Sequence, residues 1–150
     1  MVVGQEIVFD DPENQCFGCS PHNERGLQVR FTHIGPSKVE GRYMAAPHTC
    51  GAPGVVHGGV QAALLDEAIG FAVHARKLDD DPDTDPWKDP VVTAEFDLRY
   101  RRPVLVGAEL VLRGEVLRVD GRDFYSVGEI CAPDGEVLTF ATARWVRISR

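Results

Sequence analysis

Between Gly54 and Ala75 the chain reads GVVHGGVQAALLDEAIGFAVHA, with two carboxylates, Asp66 and Glu67, set in the middle of a largely apolar run. An unpaired charge in a protein core costs several kcal/mol or more, so Asp66 needs either hydrogen-bond partners or a task. Placed among small residues, a carboxylate can take a proton from water or attack a carbonyl carbon. At helical period, Gly59, Ala62, Ala63, Asp66 and Gly70 lie on or near one stripe, which lets a second backbone or a thin ligand approach the carboxylate. Glu67 points elsewhere and reads as a surface or structural group.

The other half of the chemistry stands at His57-Gly58-Gly59. The first turn of a helix carries unpaired N–H groups and the positive end of the dipole, and a glycine lets an oxygen reach them. The amide of Gly58 or Gly59 is then a candidate oxyanion donor. The plainer alternative is that the glycines only allow a tight turn, while His57 caps or packs. Gly59 and Asp66 are separated by about 10 Å of helix, so one carbonyl cannot sit at both. If both act on one carbon, they come from two helices, and the site is completed across a two-fold dimer interface.

The elements that must hold these groups follow from patterning. The helix is expected from near His57 to near Leu78, and is apolar almost all round, hence buried. Before it, LQVRFTHI and KVEGRYMA alternate around Gly35 and Pro36 and suggest a hairpin. After it come VVTAEFDLRY, ELVLRGEVLRV, DFYSVGEICA and VLTFATARWVRI, with Asp120-Gly121 and Pro133 to Gly135 as turns, which suggests a four-stranded antiparallel meander. By strict alternation Val92, Ala94, Phe96, Leu98 and Tyr100 face the helix, and Thr93, Glu95, Asp97, Arg99 and Arg101 face away. The expected class is α+β, a curved antiparallel sheet wrapped around one helix, as a single domain over residues 1–150.

With 43% hydrophobic and 26% charged residues, a chain of this length can bury a proper core. The net charge of −7 argues against nucleic-acid binding or a polybasic membrane contact, so basic contacts to an anionic ligand must be local. The N-terminus lacks a basic region followed by an apolar run, and no apolar stretch is long enough to span a membrane; a cytoplasmic location is expected.

Four cysteines, Cys16, Cys19, Cys50 and Cys131, do not make a disulfide framework. Cys16-x-x-Cys19 with His48 or Cys50 would be a zinc site, but a single CxxC is a weak signal, and no metal is expected. The stretch from Leu78 to Pro90 holds six aspartates and three prolines and reads as a solvated loop. A calcium reading of Asp81, Asp83 and Asp85 fails because Pro86 stands where an EF-hand needs glycine and no glutamate closes the loop.

The residues HGGVQAALLDEAIG, preceded by GAPGVV, resemble the signature of the hotdog-fold acyl-CoA thioesterases, with the phenylacetate-degradation type of the 4-hydroxybenzoyl-CoA thioesterase superfamily as the nearest subgroup. CFGCSPHNERGLQVRF resembles the group's CFGCGPxNPxGL lead-in, with Ser20 and Glu24 as departures, and VVTAEFDLRYRRPVLVGAEL resembles its next strand and turn. The resemblance implies a hotdog fold, dimers that often pair into tetramers, and thioester hydrolysis with no metal or organic cofactor. It places the catalytic carboxylate at Asp66, the oxyanion amide at Gly58 and an assisting polar residue at Thr93. Gly51 stands where the family often carries Asn or Gln, so the holding of a water passes to another residue such as His48.

The function expected is hydrolysis of an aryl- or fatty-acyl-CoA to acid and CoA. His57, Gly59, Ala62 and Ala63 line the substrate path, with a pantetheine arm entering between protomers. Arg99, Arg101 and Arg102 are candidates for the CoA phosphates, Arg101 and Arg102 on opposite sides if the strand persists. A hydratase or dehydratase on the same fold would place a His/Asp or His/Glu pair in the site. A non-catalytic acyl-CoA binder or regulator would be expected to lack Asp66.

Overall fold

One helix is set against a seven-stranded antiparallel sheet in the computed structural model, which describes residues 3–85 and 88–148. The strands are β1 (Glu6–Ile7), β2 (Phe31–Gly35), β3 (Lys38–Met44), β4 (Val91–Tyr100), β5 (Glu109–Asp120), β6 (Asp123–Cys131) and β7 (Val137–Arg147). The helix, α1, spans Gly58–Asp80. This is the expected hotdog arrangement, with one short strand more than the six read from the sequence: β1 pairs antiparallel with β2.

Close contact between helix and sheet has a specific cause. Gly114 of β5 and Gly128 of β6 are cross-strand partners and together leave a bare patch. A Cβ on Gly114 would lie 2.1 Å from the Ala68 carbonyl oxygen, so no other residue lets α1 sit so low on the sheet. Leu64, Leu65, Ala68, Ile69, Ala72 and Val73 of α1 are buried against Phe31, Val39, Leu110, Leu112, Phe124 and Ile130. Burial on nearly every side explains why the helix is apolar almost all round.

Two expectations about strands are corrected. The sheet order is β1-β2-β3-β5-β6-β7-β4, so β5, β6 and β7 form a meander, while β4 lies beyond β7 at the sheet edge and not beside β5. Strict alternation along β4 also fails. Thr93 pairs with Trp145 but Glu95 pairs with Arg144, which makes Ala94 an extra residue, a β-bulge. The bulge reverses parity, so Thr93 shares the helix side with Phe96 and Leu98, whereas Val92 and Ala94 are exposed.

The acidic segment is helical at its start, since α1 continues through Asp79 and Asp80. Arg76 pairs with Asp80 one turn away, and Asp79 accepts the Ser37 N–H at 2.8 Å. Further on, the buried Lys77 ammonium meets the Asp89 carboxylate at 3.2 Å, and Arg147 meets the same carboxylate at 3.1 Å. Asp89 thus ties the helix end and β7 together across the loop. Pro86, on which the argument against calcium rested, lies outside the described residues.

Candidate active site

His57 caps α1 from outside the helix, its Nδ1 accepting the Gly59 N–H at 2.9 Å. That bond occupies the Gly59 amide. Among the described residues no acceptor takes the Gly58 N–H, so of the two candidate oxyanion amides Gly58 is the one left for a ligand. The Tyr100 hydroxyl, from the end of β4, donates to the Gly58 carbonyl oxygen at 2.9 Å and fixes the first turn. Sequence reading had Tyr100 only as a packing residue. Gln61, one turn into the helix, is anchored by its amide to the Val56 carbonyl and by the Thr139 hydroxyl, at 2.9 and 2.6 Å.

Asp66 sits about two turns from Gly58, half-buried, with Ala62 and Ala63 half-buried before it. The Thr93 hydroxyl donates to Asp66 Oδ1 at 2.7 Å. Burial pushes the Asp66 carboxyl above the ordinary aspartate value, the Thr93 hydrogen bond works against that rise, and the nearby Cys16 adds to it. Of the paired expectations, Asp66 and Thr93 are in contact, while Gly58 stands eight residues away along a continuous helix, about 12 Å at about 1.5 Å per residue.

The basic candidates are dispersed. Arg99 is ion-paired with Asp97 at 2.8 Å. β4 ends at Tyr100, and both Arg101 and Arg102 donate their backbone N–H to the Leu138 carbonyl, so the alternation expected of a persisting strand stops there. Arg101 lies over the Phe140 ring, Arg102 is exposed, and neither guanidinium pairs with a carboxylate among the described residues. His48 is exposed in the short 3-10 turn Pro47–Thr49 that precedes the helix.

Glu67 points away from Thr93, and its structural role involves partners from a distant loop. Its carboxylate accepts from the Cys16 thiol at 3.6 Å, and the Cys16, Cys19 and Glu67 ligand atoms lie within 4.8 Å of one another. Burial, reinforced by Cys16 and Asp66, pushes Glu67 up to about 8. The contact spans 51 residues of chain, beyond the reach of any local pattern.

The model of the thioesterase superfamily matches residues 53–139, which holds α1, β4, β5, β6 and most of the site. Acyl-coenzyme A thioesterase THEM4 of Rattus norvegicus is 26% identical over 129 residues, 83% of this chain and 51% of that protein. THEM4 of Xenopus laevis is 26% identical over 108 residues, 71% of this chain and 43% of that protein. The chain therefore spans about half the length of the curated relatives it matches. Among solved structures, a thioesterase superfamily protein at 30% identity superposes with a TM-score of 0.72 over 84% of this chain and 57% of that one. The Escherichia coli PaaI protein from the phenylacetic acid degradation operon, at 15% identity, has the same fold, with a TM-score of 0.68 over 82% of this chain and 81% of that one.

Proposed function

Since the chain belongs to the thioesterase superfamily, we propose that it hydrolyses an acyl-coenzyme A thioester to the free acid and CoA. The observation that carries this reading is the Thr93–Asp66 hydrogen bond on a helix whose first amide, at Gly58, has no acceptor among the described residues. Thr93 holds one carboxylate oxygen and leaves the other for the chemistry, either as base toward a water or as nucleophile toward the thioester carbon. The tetrahedral oxyanion is stabilised by the Gly58 N–H, and its collapse expels the CoA thiolate. The thiolate takes a proton from Asp66 on the general-base route or from water on the nucleophilic route, where a water then hydrolyses the acyl anhydride on Asp66 to the free acid. The reaction needs no metal or organic cofactor.

The Gly58 amide and Asp66 carboxylate that meet one carbon come from two protomers, because a single helix holds them about 12 Å apart. The open side of β4 supports a dimer. It is a ten-residue strand at the sheet edge, exposed over most of its length, with Val92 42% and Tyr100 55% exposed. A long unprotected edge is a template for pairing, and a second β4 satisfies it. The Arg101 and Arg102 guanidiniums, which pair with no carboxylate among the described residues and follow Tyr100, whose hydroxyl meets the Gly58 carbonyl, suit the CoA phosphates. His57, Gly59, Ala62 and Ala63 line the path of the pantetheine arm. Among the described residues no helix is long and apolar enough to cross a membrane.

Release of free CoA thiol from a panel of aryl-, medium-chain and long-chain acyl-CoA substrates tests this reading. Turnover of at least one class, saturable in substrate, is expected. Tight binding of acyl-CoA with no turnover of any thioester would replace the hydrolase by a binding protein.

A further inference from the structure

We propose that Cys16, Cys19 and Glu67 form a structural zinc site that fastens the N-terminal loop to the central helix beside Asp66. The two sulfurs come from one tight turn, closed by the Ser20 N–H on the Cys16 carbonyl at 3.1 Å. The turn is held from behind: Asn14 Oδ1 accepts the Cys16 N–H at 3.0 Å, and the buried Ser20 hydroxyl donates to the Asn14 carbonyl at 2.6 Å. The third group arrives from α1. A Cβ on residue 18 would overlap the Glu67 carboxylate at 2.1 Å, so the glycine between the cysteines is what admits the carboxylate between them.

The spacing suits a small cation. Ligand atoms on a tetrahedral zinc, with bonds of about 2.3 Å to sulfur and about 2.0 Å to oxygen, stand about 3.5 Å apart. Cys16 Sγ and Glu67 Oε1 are 3.6 Å apart, and all three ligand atoms fit within 4.8 Å. Two thiolates and one carboxylate are a borderline-soft donor set that favours zinc over magnesium or calcium.

Charge points the same way. Cys16, Cys19 and Glu67 are all half-buried. A partly buried cluster of anion-forming groups without a cation is costly, and a divalent ion removes that cost.

The cluster opens on a cavity of about 420 Å³, which gives an ion a path and a water the fourth position. His74 and Trp145 line the same cavity, and their Nδ1 and Nε1 are buried atoms with no partner among the described residues. They offer an acceptor and a donor to water there. His74 is seven residues from Glu67, about 10 Å along the helix, too far to share the ion directly. His48 and Cys50, the partners the sequence offered to a CxxC zinc site, do not join the cluster.

Metal analysis of the full chain purified without a poly-histidine tag should find one zinc per chain. After chelation under reducing conditions, added Zn²⁺ should rebind stoichiometrically, and Co²⁺ should give a thiolate-to-cobalt charge-transfer band with the intensity of a tetrahedral site. C16S and C19S should lose the band and the tight binding, E67Q should lose tight binding, and C50S and H48A should retain both. Reduced wild-type protein that takes up neither ion, or uptake unaffected by C16S or E67Q, overturns the site. The wild-type cobalt spectrum decides even if a variant fails to fold, and none of these readings uses a substrate, so they stand apart from the test of hydrolysis.

Discussion

Thr93 and Asp66, 27 residues apart and on different elements, share a hydrogen bond of 2.7 Å from the threonine hydroxyl to Asp66 Oδ1. The bulge at Ala94 makes it possible by turning Thr93 toward α1. Thr93→Ala removes the bond and frees the carboxylate to rotate. A fall in kcat of about 10–100-fold is expected, with KM little changed, because a mispositioned group costs rate before it costs binding. Thr93→Ser keeps the hydroxyl and should restore most of the rate. Steady-state kinetics on the best acyl-CoA of the panel checks both.

Gly58 separates activity from stability. A Cβ built there lies 3.5 Å from the Tyr100 hydroxyl, an ordinary contact, so Gly58→Ala fits the folded protomer. On the proposed mechanism the added methyl crowds the amide assigned to the oxyanion. Hydrolysis should drop by about 100-fold while the melting temperature is unchanged or slightly higher. Paired kinetics and thermal melts test this; equal losses in both would mark Gly58 as structural only.

What the sequence made legible was local. The central helix, three strand pairings within the sheet (β2 with β3, β5 with β6, β6 with β7) and the HGG-to-Asp66 spacing all follow from periodicity, turn residues and the resemblance they carry. The side on which Thr93 lies was not legible, because a one-residue bulge reverses every side chain beyond it and Ala94 carries no sign of one. The place of β4 beside β7 was equally hidden, since alternation gives a strand its faces but not its neighbours. The partners of Glu67 were hidden for a third reason: Cys16 and Cys19 come from a loop with no period at all.

The β4 edge predicts an assembly that charge should break. Val92 is exposed in the single chain and is covered if two β4 strands pair. Val92→Lys places like charges across the two-fold axis, so the dimer should dissociate at micromolar concentrations and hydrolysis should fall with the dimer fraction. Analytical ultracentrifugation alongside thiol-release rates provides the check. A fully active monomer would contradict a site shared between protomers.

Asp89 governs stability away from the site. Burial tends to raise its carboxyl, but the hydrogen bonds and charges of Arg147 and Lys77 outweigh that and hold it below its ordinary 3.8. A carboxylate with a lowered folded pKa stabilises the protein above the unfolded value, and that contribution disappears as pH falls through the folded value. Asp89→Asn leaves the buried Lys77 without its counter-charge and should cost about 2 kcal/mol at neutral pH, a fall in melting temperature of roughly 4–8 °C. The gap between wild type and variant should hold from neutral pH to about pH 5 and close below 3.8, as seen in melts across that range.

The most direct test is the rate of CoA release by Asp66→Asn on the best acyl-CoA, with oligomeric state and melting temperature measured on the same samples. The account predicts a loss of about 10²–10⁴-fold in kcat with assembly and fold intact, because the amide can neither accept the proton nor attack the carbon. A variant that hydrolyses the thioester at the wild-type rate would contradict it.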